Sequence, residues 1–264
     1  MKNIGGYVIW LFSARIFAIS LVVALALVGN AAGEVSRTGL VGEWHFDGDA
    51  KDSSGNNNDG IIYGATFIDG KYGKALSFNG VDNFIKIPTL ENPSTSDWTN
   101  EAWIKTTKLA AGVIIGKRHE EQEKSLTLHV GWWAGNKQEN GLSYFSDDEA
   151  SYEVGAIGTT NVADGKWHHL VGIRKGQHFY IYVDGNLEGH NNINIGDFAL
   201  NDIKSTNDWQ IGHSGAWNVY FNGIIDEVRI YNRALSEGEI KANYEAGQIS
   251  ISCNVQQHIA GFLC

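Results

Sequence analysis

The sequence has little cysteine, little proline and few basic side chains for its length. It contains 2 Cys and 2 Pro in 264 residues, and 30 Asp and Glu outnumber 20 Lys and Arg, which gives a formal net charge of −10 at pH 7. Two cysteines cannot build a disulfide-dense scaffold. A protein that binds a phosphate backbone needs clustered Lys and Arg, so the acidic balance argues against nucleic acid as a partner.

The longest uncharged apolar run lies near the N-terminus. It spans residues 16–28, directly after Arg15, and it is followed by the small residues Ala31 and Ala32. A basic start, a short apolar run and small residues are typical of a secretory signal peptide, here residues 1–32, with cleavage near either alanine. The run is shorter than the ~20 residues of a membrane span. We therefore predict a secreted or cell-surface protein that keeps no stable membrane span after cleavage.

After residue 34 the apolar residues alternate in short runs, with Gly, Asn and Asp between them. Alternation of this kind predicts β-strands. Lys175-Gly176 and Asp184-Gly185 contain residues that accept positive φ, so we predict two tight turns there, flanked by strands at residues 167–174 and 177–183. The remaining predicted strands are residues 40–46, 75–78, 84–87, 99–104, 113–115, 125–130, 141–145, 209–212 and 222–231.

One short helix is predicted near the C-terminus. Ser236 and Glu239 have the spacing of a capping box, and Gly247 is a natural C-terminal stop. A dozen short strands with a single terminal helix indicate an all-β fold, namely a two-sheet antiparallel jelly-roll sandwich. We expect one domain over residues 35–248, followed by a tail over residues 249–264.

Both cysteines, Cys253 and Cys264, lie in that tail. In an exported chain an even number of cysteines favours a disulfide, so an intramolecular bond between them is the first prediction. Two free thiols on a frayed end and pairing between two chains are the alternatives.

Four stretches of the sequence together resemble the LamG-like jelly-roll domain of the concanavalin A-like lectin/glucanase superfamily. The resemblance implies two packed antiparallel sheets, in agreement with the alternation. It does not fix a function, because this fold carries lectins, adhesion modules, glycan-binding appendages and hydrolases. The four stretches are residues 41–47 with 52–57, residues 73–80, residues 164–185 and residues 222–236.

Three aspartates are the candidate ligands of a structural Ca²⁺ ion. Asp47 ends the first strand, Asp52 lies in the following loop, and Asp226 lies in the opening part of the last strand. If the first and last strands pair antiparallel, as in related domains, the three carboxylates converge, and a shell of oxygen ligands suits calcium. The alternative is that Asp52 forms an Asx turn and Asp226 accepts hydrogen bonds from backbone amides.

Aromatic side chains in loops are the candidate sugar-binding residues. A pyranose presents C–H groups on one face, so a flat ring flanked by hydrogen-bonding groups suits it. Trp133, Trp217 and Tyr220 lack an obvious buried partner in the sequence. The alternative is that these loop aromatics fold back onto the sandwich. The tryptophans expected in the core are Trp44, Trp103, Trp167 and Trp209.

No catalytic motif is recognisable. The acidic run at residues 147–153 lacks the alternation of the strand that carries the glucanase carboxylates, so we predict a solvated loop there. Asp226 and Glu227 are adjacent, so their side chains point to opposite faces. His168 and His169 resemble a pattern common in the LamG-like family, in which one side packs inward and the other faces solvent, so both are expected to be structural.

The sequence thus predicts a secreted, non-catalytic, lectin-like β-sandwich that binds glycan or a cell-surface protein and carries structural Ca²⁺. Two other functions stay open. One is a protein-interaction or adhesion module without sugar affinity, and the other is a glycan-active hydrolase or lyase with an unrecognised carboxylate pair.

Overall fold

The structure is a computed structural model that describes most of the predicted domain. The predicted signal peptide and the tail with Cys253 and Cys264 lie outside the described residues. Among the described residues, no helix has the length and apolar character needed to cross a membrane. The described residues are 35–91, 97–110, 112–117, 126–131, 143–149, 152–191, 208–214 and 219–246.

The described residues form fifteen strands and a C-terminal helix, α1 (residues 237–246). All pairings between strands are antiparallel, which confirms the predicted fold class. The strands are β1 Leu40–Trp44, β2 Ile61–Tyr63, β3 Thr66–Asp69, β4 Lys74–Asn79, β5 Phe84–Ile87, β6 Trp98–Lys105, β7 Gly112–Lys117, β8 Leu126–Val130, β9 Ser143–Glu149, β10 Tyr152–Ile157, β11 Trp167–Lys175, β12 His178–Val183, β13 Asn186–His190, β14 Trp209–Ile211 and β15 Asn222–Tyr231.

The strands are arranged in two sheets. Sheet A has the order β13-β12-β11-β6-β15-β4-β3, and β1 pairs with the second half of β15. Sheet B has the order β10-β9-β8-β7-β14-β5-β2. The expected pairing of the first and last strands is confirmed, since Trp44 lies opposite Val228 and Glu43 lies opposite Arg229.

The two predicted tight turns are confirmed in the β11-β12-β13 meander. Gly176 has a φ of 60°, and Asp184 and Gly185 have φ values of 50° and 78°. These left-handed conformations are those that glycine, and to a lesser extent aspartate, adopt at low cost. Lys175 consequently pairs with His178 across the first turn, and Val183 pairs with Asn186 across the second.

The prediction of a loop at the acidic run is wrong. Strand β9 continues to Glu149 and β10 begins at Tyr152, so Asp148 pairs with Glu153 across a hairpin. β10 is the edge strand of sheet B, and edge strands commonly carry charged residues because one side of the strand has no neighbour. Alternation of apolar residues therefore does not reveal such a strand.

The main core fills the space between the two sheets. Trp98 of sheet A stacks on Trp209 of sheet B, with ring centroids 5.6 Å apart and planes at 15°. Trp44 is also fully buried in this core, as predicted. Trp167 is only partly buried, because it lies at the start of β11.

A second, smaller core covers the other face of sheet A under α1. Ile240 of the helix packs with Val171, Ile173 and Tyr231 of the sheet. The predicted capping box is present, since Glu239 N donates to Ser236 Oγ at 3.3 Å and Ser236 N donates to Glu239 Oε2 at 2.9 Å. Sheet A is therefore buried on both faces where β6 and β11 run beneath the helix.

Candidate functional site

Two of the three candidate calcium ligands meet at the turn between β3 and β4. Asp226 Oδ2 accepts hydrogen bonds from Lys71 N at 2.8 Å and Tyr72 N at 3.1 Å. Asp47 Oδ1 accepts a hydrogen bond from Lys74 N at 2.7 Å. The pairing of β1 with β15 therefore brings both carboxylates to one turn, where each binds backbone amides.

Asp52 organises its own loop. Its Oδ1 accepts hydrogen bonds from Ser54 N at 2.8 Å and Glu43 N at 3.0 Å, and its Oδ2 accepts one from Asn58 N at 2.9 Å. This is the Asx-turn geometry that the sequence left open as an alternative. Among the described residues, no group of three or more His, Cys, Asp and Glu is arranged to hold a metal ion. Calcium binding by the three aspartates stays a prediction.

Burial gives Asp226 unusual acid–base behaviour. Removal of its carboxylate from water raises its pKa to about 7, against the opposing effect of the amide hydrogen bonds from Tyr72 and Lys71. The neighbouring Glu227 carboxylate acts in the same direction as burial. Because its folded-state pKa lies above the unfolded value, Asp226 contributes most stability at low pH, and this contribution is lost as pH rises from about 4 to 7.

The variant Asp226→Asn tests this contribution. Asparagine cannot ionise, so we expect the stability of the variant relative to the parent to increase between pH 4 and pH 8, by on the order of 2–4 kcal/mol. A constant loss of about 1 kcal/mol accompanies it at every pH, because the NH2 group of asparagine replaces one carboxylate oxygen and cannot accept the hydrogen bond made there, for example the one from Glu227 N. Urea unfolding at several pH values measures both terms, and a pH-independent difference would contradict the assignment.

A buried ion network joins β1, β6 and β15 on the helix-covered face of sheet A. Arg229 Nε donates to Glu43 Oε1 at 2.9 Å, Arg229 Nη1 lies 3.3 Å from Glu101 Oε1, and Arg229 Nη2 pairs with Glu227. Burial acts to raise the pKa of Glu43 and of Glu101, but the interaction of Glu43 with Arg229 and those of Glu101 with His169 and Arg229 hold both pKa values below their usual range. Glu43 and Glu101 therefore stay ionised at neutral pH despite their burial.

Both adjacent histidines take part in buried polar contacts. His168 Nδ1 lies 2.8 Å from Asp184 Oδ2, and its Nε2 lies 3.1 Å from Asp164 Oδ1. His169 Nε2 lies 3.1 Å from Glu101 Oε1. The expectation that one of the two rings faces solvent is wrong, because α1 covers the face of β11 that carries His169.

A small cavity of about 180 Å³ lies beside the ion network. Its wall includes Trp103, whose ring stacks on Tyr244 at 5.7 Å and lies 4.1 Å from Lys71 Nζ. The charged groups in its wall, Glu227 and Arg229, are paired with each other. These two charged groups are thus already paired within the protein, whereas Tyr72 Oη and Asn243 Oδ1, which belong to residues of the same wall, have no hydrogen-bond partner among the described residues.

A larger cavity of about 290 Å³ contains Tyr220, one of the three predicted sugar-binding aromatics. Trp133 and Trp217 lie outside the described residues. Val130, three positions before Trp133, lines the same cavity. The complete lining is Asn79, Gly80, Val81, Thr106, Lys108, Ala110, Gly112, Val130, Tyr220, Phe221 and Asn222.

The Tyr220 ring is supported by other aromatic rings on sheet B. It stacks on His213 with centroids 4.2 Å apart and planes at 10°, and His213 Nδ1 lies 2.7 Å from Gln210 Oε1. Phe84 lies 6.0 Å from His213 and stacks on Tyr63 at 4.6 Å. One face of Tyr220 is therefore covered by His213, and Phe84 and Tyr63 continue the row of rings behind it, which restrains the Tyr220 ring at the cavity.

Polar contacts fix the opposite side of the cavity. Thr106 Oγ1 donates to the carbonyl oxygen of Asn222 at 2.7 Å and accepts a hydrogen bond from Lys108 N at 3.0 Å. Asn222 Nδ2 donates to the carbonyl oxygen of Asn79 at 2.8 Å. The cavity wall therefore combines a restrained aromatic ring with Asn79 of β4, Asn222 of β15, and Thr106 and Lys108, which follow β6.

The fold and this cavity define the class of protein as a jelly-roll-type β-sandwich with an aromatic, polar pocket near one end of its sheets. Residues 79–241 match the model of a family described as the Concanavalin A-like lectin/glucanases superfamily. The chain belongs to this family. A comparison with curated proteins finds no match.

Solved structures share the fold at low sequence identity. Domain 4 of AbnA, a GH43 extracellular arabinanase from Geobacillus stearothermophilus, in complex with arabinotriose, has a TM-score of 0.59 and 23% identity over 76% of this chain and 96% of its own. The binding domain of Paraclostridial Mosquitocidal Protein 1 has a TM-score of 0.61 and 19% identity, over 78% of this chain and 52% of its own.

The binding domain of Botulinum Neurotoxin DC, in complex with SialylT, has a TM-score of 0.59 and 12% identity, over 80% of this chain and 52% of its own. This chain thus spans about half the length of the two toxin binding domains. At these identities the similarity establishes the fold.

Proposed function

We propose that the chain is a secreted, non-catalytic lectin-like domain that binds glycan in the cavity at Tyr220. The observation that carries the proposal is the Tyr220 ring, which is covered on one face by His213 and lines a cavity of about 290 Å³. A restrained flat ring suits the C–H face of a sugar, and nearby amide and ammonium groups suit its hydroxyls. Lys108 and Asn222 supply such groups here.

The structural relatives support a glycan as the ligand. The arabinanase domain is described in complex with arabinotriose, and the neurotoxin binding domain in complex with SialylT. Export of the chain, which rests on the predicted signal peptide, places the domain where such ligands occur. Structural Ca²⁺ bound by Asp47, Asp52 and Asp226, and a disulfide between Cys253 and Cys264, remain parts of this proposal.

A glycan array tests the proposal, with the chain from residue 33 and the variants Tyr220→Ala and Tyr63→Ala. Loss of the Tyr220 ring is expected to weaken binding about tenfold or more, equivalent to ~1.4 kcal/mol. Tyr63→Ala is the matched control, because Tyr63 belongs to the same aromatic row but does not line the cavity. Equal binding by the parent and Tyr220→Ala would contradict the assignment of this cavity.

Melting curves recorded with and without a chelator test the calcium part of the proposal. If calcium organises the domain, chelation lowers the melting temperature of the parent, while Asp52→Ala makes the chelator ineffective. Unchanged melting curves would remove calcium from the proposal and leave the glycan cavity in place, since none of the three aspartates lines it.

An adhesion module without sugar affinity is the second candidate, and one observation favours it. Ile61 and Tyr63 of β2, and Phe67 and Ile68 of β3, are between 42% and 48% exposed on edge strands of the two sheets. Exposed apolar side chains at an edge suit a protein partner. Absence of glycan binding at high protein concentration would favour this function, and release of reducing sugar that Asp148→Asn abolishes would instead indicate a hydrolase.

A further inference from the structure

Two histidines lie side by side at the edge of sheet A. His178 begins β12 and His190 ends β13, the edge strand of the sheet. Both side chains are exposed, and neither lines the cavity at Tyr220. The proposed glycan site therefore makes no use of them.

The distance between the two imidazoles matches that between two ligands of one metal ion. His178 Nδ1 and His190 Nε2 are 3.4 Å apart. A tetrahedral zinc ion with Zn–N bonds of ~2.0–2.1 Å separates its nitrogen ligands by about 3.3–3.4 Å. One ion can thus contact both nitrogens with little movement of either strand.

The surrounding residues hold both rings in this arrangement. The Tyr180 ring stacks on His190 with centroids 4.4 Å apart and planes at 4°. Asn191 Nδ2 lies 2.8 Å from His178 Nδ1, and Asn191 Oδ1 accepts a hydrogen bond from Phe179 N at 2.6 Å. A donor at Asn191 Nδ2 favours the His178 tautomer with a lone pair on Nδ1, which is the form that binds a metal.

We propose that His178 and His190 form a binding site for a divalent transition-metal ion such as Zn²⁺ or Cu²⁺. Neutral imidazole nitrogens suit these ions, whereas Ca²⁺ prefers oxygen ligands. The metal replaces both hydrogen bonds at His178 Nδ1, the one from Asn191 Nδ2 and the one between the two imidazoles, and the His190 proton moves to Nδ1 so that Nε2 can bind the metal. Water completes the coordination. Within the described part of the chain no third His, Cys, Asp or Glu joins the pair, so the site leaves coordination positions open to an exogenous ligand.

Zinc titration of the tag-free chain tests the site, with NMR detection of the imidazole resonances and calorimetry. Zn²⁺ is expected to shift the resonances of His178 and His190 together, and each of His178→Ala and His190→Ala is expected to weaken this binding event about tenfold or more. Cu²⁺ is expected to bind the pair more tightly than Zn²⁺. His129→Ala is the matched control, because it also removes one imidazole, but from β8 of sheet B, whereas the histidine pair lies on β12 and β13 of sheet A.

Loss of metal binding can be distinguished from loss of folding. Both side chains are exposed, so each alanine variant is expected to keep the melting temperature of the parent when no metal is present. Zn²⁺ raises the melting temperature of the parent and of His129→Ala, by mass action on the folded state, but has less effect on the other two variants. If addition of Zn²⁺ does not shift the imidazole resonances of His178 and His190, the proposal is overturned. Equal affinities for the parent and both single variants would also overturn it.

Discussion

Arg229→Met is expected to lower the free energy of unfolding by about 3–5 kcal/mol, because it removes the cation from a buried ion network. Glu43, Glu101 and Glu227 would lose their shared partner while staying within the sheet A face beneath α1. Glu43 keeps its contact with the exposed Arg37. Glu101 keeps its contact with His169, but these contacts do not replace the buried guanidinium. The desolvation cost of the carboxylates is then poorly compensated, and the three would also repel one another.

Urea unfolding at pH 7 measures this loss, and Arg37→Met is the matched control. Arg37 contacts the same Glu43 at 3.0 Å, but its side chain is 53% exposed, so its loss is expected to cost at most about 1 kcal/mol. The cost of Arg229→Met should decrease as pH falls below about 4.5, because protonation neutralises Glu43 and Glu101, whose folded-state pKa values are lowered. Similar costs for the two variants would contradict a network centred on Arg229.

This network could not be predicted from the sequence. Arg229 contacts Glu43 and Glu101, which are 186 and 128 residues away along the chain. Alternation predicts that Glu43 and Arg229 lie in strands, and the pairing of the first and last strands places them opposite each other. The sequence does not reveal that α1 closes over this face and buries the charges, because that depends on the packing of a distant element.

Strand positions were predictable where apolar alternation or a tight turn marks them, as at β11 and β12. Of the strands that were not predicted, β2, β3 and β13 consist mostly of exposed or partly exposed residues, so alternation between two differently buried faces is weak in them. Edge strands need only one partner strand and one covered face. Hydrogen bonding of the backbone, which the side-chain pattern does not encode, defines them.

The candidate site was predictable only in part, for a similar reason. Tyr220 was identified because an aromatic residue in a loop has no local apolar partner. Its actual partner, His213, follows β14, while Lys108 follows β6 and Asn222 begins β15. The pairing of β1 with β15 placed Asp47 and Asp226 correctly at one turn, but the amide groups that they bind belong to the β3-β4 connection, whose strand β3 was not predicted.

Trp209→Ala is expected to lower the free energy of unfolding by about 3–5 kcal/mol, the range for loss of a fully buried aromatic side chain. Trp209 is completely buried, stacks on Trp98 across the two sheets, and donates a hydrogen bond from Nε1 to the carbonyl oxygen of Glu91 at 3.2 Å. Its removal leaves a cavity between layers that are joined mainly by such contacts, and the remaining carbonyl group loses its donor.

Chemical denaturation of Trp209→Ala, Trp209→Phe and Trp167→Ala separates these contributions. Phenylalanine keeps a stacking ring but not the N–H group, so we expect it to recover about half of the loss. Trp167 is only partly buried at the start of β11, so its replacement by alanine is expected to cost clearly less than that of Trp209. If Trp167→Ala and Trp209→Ala cost the same, the contact between Trp98 and Trp209 is not what joins the two sheets, and the stability of the sandwich must come from within each sheet.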